Sequence, residues 1–191
     1  LTNKNINNPK NIISAGINAS SQIKTIMKFK KMNNINKTIF LIPNSDFKEE
    51  IEVAIAKSKI KLKHIHIYKT NPTELTKQIE KITMYQIRKQ NLMDEIKRLE
   101  DSNEENKERK IKNLEKRDTL GGINFDSVIV SDFDEGLKSV FTSLLYTDVS
   151  PQRVHYITLN QWFDESFLKE ESLQPLYFPS INKKNYDTFI K

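Results

Sequence analysis

The sequence lacks cysteine altogether and has little glycine. Its 191 residues include no cysteine and only four glycines. Without cysteine the chain has no disulfide, no thiolate nucleophile and no zinc–cysteine site. It also lacks the GxGxxG and GxxxxGK[ST] patterns, so neither a dinucleotide site nor a P-loop phosphate site is indicated. We therefore expect no cofactor.

Other catalytic patterns are missing as well. The sequence has no GxSxG and no HExxH pattern, and its three histidines all fall within predicted strands, where a general base is not expected in an α/β protein. His64 and His66 share one face of such a strand, a spacing that can hold a metal, but no third ligand lies nearby in sequence. An ordinary edge strand is the favoured interpretation. We predict no enzyme, no catalytic residues and no metal site.

Long hydrophobic runs are absent too. No stretch of about 18 apolar residues is present, so no membrane-spanning helix is predicted. The chain shows neither a leader nor a lipidation cysteine and opens on Leu1, so we expect a piece of a longer protein, with any lipid anchor outside it. The net charge of +6 is spread along the chain among many Asn and Ile residues, which is typical of AT-rich codon usage. We therefore expect no nucleic-acid partner.

What the sequence does contain is an alternation of apolar runs and amphipathic segments. Residues Leu1 to Asn11 are polar and predict a flexible lead-in, and residues 12–191 predict a single lobe. The alternation predicts an α/β fold with a parallel sheet of order 2-1-3-4-5 between helices on both faces. The predicted strands are 38–42, 62–68, 125–130, 154–159 and 176–178, and the predicted helices outside the insertion are 20–32, 46–58, 135–146, 163–170 and one from 182.

A charged helical insertion at about Glu80–Gly122 interrupts this alternation. A long helix is predicted from a cap at Thr73, with apolar residues at spacings of three and four as far as Leu99. A second helix is predicted from Glu104 to Arg117, followed by Gly121 and Gly122 as a left-handed cap. The simplest arrangement is a protruding antiparallel hairpin. It is either a solvated spacer or an arm that docks a partner.

Candidate binding residues follow three predicted strands, because ligands of parallel sheets bind beyond the carboxyl ends of the strands. Phe47 is not counted among these candidates, because it is assigned to the apolar stripe of the second predicted helix, together with Ile51, Ala54 and Ile55. Asp132 and Asp134 flank Phe133 and could bind Mg²⁺ or act as acid and base, but a helix cap at Asp134 is favoured. The candidates are Asn44, Ser45, Asp46, Asp132, Phe133, Asn160, Gln161 and Trp162.

Several stretches resemble one family. SAGINASSQ, TIFLIPNSDF, FDSVIVSDF and, most specifically, Leu145–Pro179 resemble lobe two of type I periplasmic-binding-protein folds. Within that group the chain is most similar to the penicillin-binding protein activator lipoproteins of the LppC/LpoA type, including the DTLG at Asp118–Gly121 that closes the insertion. It differs from them at Asn160, where they have glycine, and at Phe47-Lys48, where they have Tyr-Gly.

The resemblance implies a non-catalytic periplasmic lipoprotein, anchored to the outer membrane, that stimulates a peptidoglycan synthase by direct contact. Tyr146, Trp162 and Phe163 are then candidate interface anchors, although core packing is the favoured role for each. The alternative is a solute-binding receptor for amino-acid-like ligands of a transporter. There the polar ligand groups would be held by Asn44, Ser45, Asp132 and Asn160.

Overall fold

The fold is taken from a computed structural model, which describes residues 18–159, 169–180 and 188. The predicted lead-in, the predicted helix from Asn182 except for its residue 188, and residues 163–168 of the predicted helix 163–170 lie outside the described residues. The elements are α1 (Ala19–Met32), β1 (Thr38–Pro43), α2 (Lys48–Ser58), β2 (His64–Tyr68), α3 (Pro72–Ile82), α4 (Tyr85–Glu100), α5 (Lys107–Leu114), β3 (Ser127–Val130), α6 (Asp134–Tyr146), β4 (His155–Thr158), a 3₁₀ turn (Glu171–Leu173) and β5 (Leu176–Tyr177).

The five strands form one parallel sheet in the order β2-β1-β3-β4-β5, which confirms the predicted fold class. Every residue of β1 and β3 is buried, as their continuous apolar runs predict for strands covered on both faces. Side chains alternate between the faces, so Ile39 and Leu41 pack with α3 and α6, whereas Phe40 and Ile42 pack with α1 and α2. The lobe therefore has three layers.

Strand β2 lies at one edge of the sheet. His64, Ile65 and Ile67 are exposed, and the rings of His64 and His66 lie 5.8 Å apart on one face. The described residues include no group of three metal-ligating side chains. The predicted position of this strand at an edge of the sheet is confirmed.

The helix caps differ from those predicted. Asn18 caps α1, with its side chain accepting from the backbone N–H of Ser21. Asn71 caps α3 by accepting from the N–H groups of Thr73 and Glu74, so the predicted cap at Thr73 is wrong. In both helices an Asn immediately before the first turn accepts from the free N–H groups, so no Ser or Thr hydroxyl within the first turn is needed as a cap.

The long helix predicted from Thr73 to Leu99 is two helices. Thr83 is buried and its hydroxyl donates to the Ile79 carbonyl at 2.8 Å, and Met84 then adopts a left-handed conformation with φ 53°. This break redirects the chain, so that α4 turns Arg88 towards the interior of the lobe. Spacing of apolar residues alone does not register the break, because the apolar pattern continues on both sides of it.

The rest of the insertion is shorter than predicted. Helix α5 ends at Leu114, so Gly121 and Gly122 do not cap it. Gly121 has a φ of +118°, but it lies beside α4, where the Leu120 N–H donates to the Arg88 carbonyl at 2.9 Å. Helices α4 and α5 contact each other. Their description as a protruding antiparallel hairpin stays a prediction.

Candidate functional site

The candidate crevice is the carboxyl edge of the sheet between β1 and β3. Leu41 pairs with Val130, so the loops that follow the two strands start side by side. Asn44, Ser45 and Asp46 are exposed in the first loop, and Asp132 and Phe133 lie in the second. The chain departs from β1 towards β2 and later returns to β3 on the other side, which makes this gap the topological switch point of the sheet.

Tyr68, at the end of β2, belongs to this edge, although the sequence did not single it out. Its hydroxyl donates to Asp132 Oδ2 at 2.5 Å, and its carbonyl accepts from the Asn44 N–H at 2.9 Å. Burial of Tyr68, followed by the hydrogen bond to Asp132 and its negative charge, raises the pKa of the phenol well above its usual range. Tyr68 therefore connects the ends of three neighbouring strands and keeps its proton as a hydrogen-bond donor to Asp132.

The Asp132 carboxylate lies over the start of α6. Its Oδ1 accepts from the Phe133 N–H at 2.9 Å, and a Cβ added at Gly136 would lie 2.5 Å from Oδ2. Gly136 therefore leaves the space that the carboxylate occupies, and a negative charge is favourable at this end of a helix. The predicted cap at Asp134 is wrong, because Asp134 is the first residue of α6 and Asp132 occupies the position above the helix.

Two exposed phenylalanines lie in the loops that follow β1 and β3, the second of them next to Asp132 in the chain. Phe47 is 54% exposed in the loop after β1, and Phe133 is 40% exposed in the loop after β3. The assignment of Phe47 to the buried stripe of α2 was wrong: the helix begins at Lys48, and Ile51 is its first buried apolar residue. Aromatic faces beside a carboxylate and an amide can hold a ligand that has an apolar part and a hydrogen-bond donor.

The third predicted loop cannot be placed at this edge. Asn160, Gln161 and Trp162 lie outside the described residues, as does Phe163. Tyr146, the remaining candidate anchor, is exposed at the end of α6, and its ring lies 5.4 Å from that of Tyr85.

A second cluster of polar side chains joins the insertion to the body of the lobe. Arg88 is only 2% exposed, and it donates to the Thr119 hydroxyl at 2.6 Å, to the Thr147 carbonyl at 3.0 Å and to Asp148 Oδ2 at 3.2 Å. Thr119 donates to the same Asp148 oxygen, and Arg153 reaches it at 2.9 Å from the surface. Burial lowers the pKa of Arg88, while Asp148 opposes that shift.

This arginine cluster connects two of the stretches on which the family resemblance depends. Thr119 belongs to the DTLG that closes the insertion, and Thr147 and Asp148 belong to the Leu145–Pro179 stretch. The two are far apart in sequence and meet around Arg88. Sequence reasoning missed Arg88, because it stands in a helix with many charged residues and only its burial distinguishes it.

This sheet order, with helices on both faces, is a doubly wound α/β arrangement that is also found in the lobes of type I periplasmic-binding-protein-like folds. No family model and no curated protein matches the chain. Among solved structures, a transcription regulator like protein from Staphylococcus haemolyticus superposes with a TM-score of 0.50 at 13% identity, over 86% of this chain and 48% of that one. This match shows the fold.

Two other solved structures are similar more loosely. An extracellular ligand-binding receptor from Verminephrobacter eiseniae ef01-2 gives a TM-score of 0.46 at 11% identity, over 75% of this chain and 30% of that one. A LacI family transcription regulator from Clostridium acetobutylicum gives 0.44 at 8%, over 82% of this chain and 47% of that one. The chain thus spans less than half of each of these proteins. In the part of the chain that the structure describes, no helix has the length and apolarity to cross a membrane.

Proposed function

We propose that this chain is a non-catalytic binding lobe whose site is the crevice at the carboxyl edge between β1 and β3. The observation that carries the proposal is that the exposed Phe47 and Phe133 and the Asp132 carboxylate lie in the two loops that start side by side at the topological switch point. Exposed aromatic side chains are costly to leave in water and bind ligands well.

The ligand that fits this arrangement is a small polar molecule with a donor group, such as an amino acid or a short peptide. Asp132 attracts an ammonium group, and Asn44 and Ser45 offer further hydrogen bonds from the neighbouring loop. Tyr68 fixes the carboxylate by its hydrogen bond, so little side-chain freedom is lost on binding. In a longer protein a second lobe would close over this face.

The crevice is tested by titrating the ¹⁵N-labelled protein with amino acids and muropeptides while its amide resonances are followed. We expect shifts concentrated at residues 44–47 and 131–135. Asp132→Asn and Phe133→Ala should each weaken the response about tenfold or more, the loss expected when a charged or aromatic contact is removed. Asp94→Asn, at an exposed site on α4, is the matched control. Shifts confined to other surfaces, or no shifts at millimolar ligand, would rule out this site.

The finer proposal is that the lobe regulates a peptidoglycan synthase by protein contact, in the periplasm and with a lipid anchor outside this chain. The family resemblance supports it, and so does the arginine cluster, because Arg88 holds α4 to the body of the lobe. Helix α4 exposes Ile87 and Met93, which gives a firmly held helix with free apolar side chains.

This finer proposal is tested by capturing purified peptidoglycan synthases of the source organism on the immobilised protein. Wild-type protein should retain a penicillin-binding protein, and Ile87→Ser with Met93→Ser should reduce the retained amount several-fold. Met32→Ser with Val53→Ser removes exposed apolar side chains elsewhere and should not. If wild-type protein retains no synthase, the regulatory function is refuted while the crevice proposal stands.

A further inference from the structure

Strand β2 is open to solvent on the face that α1 and α2 cover elsewhere. Ile65 and Ile67 are 46% and 42% exposed, although they pair with Phe40 and Ile42, which are fully buried on that same face. Helices α1 and α2 therefore cover β1 on this face but leave Ile65 and Ile67 of β2 exposed. Two β-branched apolar side chains are left uncovered at the edge of the sheet.

The backbone of β2 is open at the same place. The Tyr68 carbonyl accepts from the Asn44 N–H at 2.9 Å, so Tyr68 directs its backbone groups towards β1. Backbone groups alternate in direction along a strand, so those of His64 and His66 also face β1, whereas those of Ile65 and Ile67 point away from the sheet. A free sheet edge of this kind is a template for another strand.

A group of lysines precedes this edge. Lys57, Lys59 and Lys61 are exposed, and none of them forms an ion pair within the described residues. The Lys61 carbonyl accepts from the nearly buried Lys30 ammonium at 2.8 Å, which fixes the backbone of this segment and adds a further positive charge. At the other end of the strand Lys69 is already paired with Glu74.

Lysines also protect sheet edges from aggregation, but there they stand within the edge strand. Here the paired part of the strand, His64 to Tyr68, has none, and its outward apolar side chains are Ile65 and Ile67. A second copy of the chain would meet this edge with the same excess of positive charge. An acidic chain would meet it with the complementary charge.

We propose that the β2 edge binds an extended acidic segment of a partner protein as an added strand. The outward backbone groups of Ile65 and Ile67 bond the segment, the side chains of the same two residues contact its apolar side chains, and Lys59 and Lys61 face its carboxylates. This surface is separate from the crevice, because the lysines lie at the amino end of β2 and the crevice lies at the carboxyl edge. It is independent of the ligand proposed above.

The probe is a fluorescein-labelled peptide with alternating valine and threonine residues between two glutamate pairs. Its binding to the protein is followed by fluorescence anisotropy. We expect saturable binding that weakens with salt, since exposed charges are screened. A peptide of the same sequence with alternate backbone nitrogens methylated keeps every charge and side chain but cannot form the ladder, and it should bind at least about tenfold more weakly. A lysine version of the peptide should not bind.

Two sets of variants separate the contributions. Lys59→Glu with Lys61→Glu should weaken binding about tenfold, whereas Lys89→Glu with Lys112→Glu, which changes the net charge equally on α4 and α5, should not. Ile65→Thr with Ile67→Thr keeps β-branched side chains while removing apolar contact, and should also weaken binding several-fold. Thermal unfolding of each variant verifies that it is folded.

Three results would overturn the proposal. Equal binding of the methylated peptide would mean that charge alone attracts it, as an anionic polymer or nucleic acid would be attracted. Equal loss of binding in Lys59→Glu with Lys61→Glu and in Lys89→Glu with Lys112→Glu would likewise mean that charge alone attracts the peptide. Sedimentation of the protein alone as a dimer that Ile65→Thr with Ile67→Thr dissociates would identify a second copy as the occupant. If titration of the crevice with amino acids and muropeptides gives no shifts, the interpretation of these three results does not change.

Discussion

Arg88 is the buried charge that attaches the insertion to the lobe. A guanidinium this deeply buried is stabilised only if its hydrogen bonds are nearly complete. Thr119, Thr147 and Asp148 accept from its two terminal nitrogens, and Nε is the one buried nitrogen of this side chain without a partner. The side chain thus couples the path of α4 to the turn that follows α6.

Replacing Arg88 by Met should lower the free energy of unfolding by about 3 kcal/mol, because Asp148 and the Thr147 carbonyl lose their buried partner. Urea denaturation measures the change. Arg153→Met removes the exposed partner of the same carboxylate and should cost less than about 1 kcal/mol. Equal losses of unfolding free energy in the two variants would show that the burial of Arg88 does not account for its contribution to stability.

Tyr68 makes stability depend on alkaline pH. Its pKa is raised in the folded state, so the unfolded phenol, with a pKa of about 10, releases its proton first. The stabilisation is complete below pH 10 and is lost as the pH rises above that value. Tyr68→Phe should therefore show a shallower loss of unfolding free energy above pH 10, measured by denaturation at successive pH values. Parallel profiles for wild type and variant would contradict this assignment.

Neither feature could be predicted from sequence. Tyr68 ends an apolar run and Asp132 follows another, 64 positions later, and nothing in either stretch indicates the hydrogen bond between them. Asp132 itself was predicted as a crevice residue, because the residue after a buried parallel strand must reach the carboxyl edge. The local sequence pattern therefore predicts that Asp132 lies at the carboxyl edge of the sheet. Its partner Tyr68 can be identified only when the order of the strands is known.

At the scale of elements, α5 depends on charge rather than burial. It has no buried residue, and Glu104 just before it joins Arg98 of α4 at 2.7 Å to Lys110 of α5 at 2.6 Å. Lys110 and then Arg98 hold the pKa of Glu104 at about 2. This contribution is present above the unfolded pKa of about 4.3 and is lost as the pH falls towards 2.

Glu104→Gln should therefore loosen α5 at neutral pH. We expect its amides to exchange a few-fold faster, as for a locally opening helix, with α4 beyond Arg98 little changed. Hydrogen exchange followed by mass spectrometry measures this. Glu108→Gln, in the first turn of α5, is the control, because Glu108 forms no ion pair among the described residues. A difference between wild type and Glu104→Gln that persists in 1 M salt would argue against an electrostatic origin.

In the whole molecule, the sheet separates two apolar clusters. Ile23 of α1 and Ile79 of α3 are fully buried on opposite faces and belong to different clusters. Both clusters rest on the same strands, so the lobe should unfold in one transition.

Ile23→Ala and Ile79→Ala should each cost about 2–5 kcal/mol, and the double variant should lose their sum within about 0.5 kcal/mol, because the sheet lies between the two sites. Urea denaturation followed by circular dichroism measures the energies. Loss of helical signal in two steps would show instead that one helical layer unfolds without the other.

The sequence by itself determined the class of fold: alternating apolar runs and amphipathic helices predict a parallel sheet with helices on both faces. It also predicted that the loops after β1 and β3 lie at the same edge of the sheet. Only the tertiary structure decided that Arg88 is buried, that Tyr68 meets Asp132, that Phe47 is exposed and that β2 is left uncovered. The physical reason is that periodicity is a property of neighbours in the chain, whereas burial and hydrogen bonding of a side chain depend on elements far away in sequence.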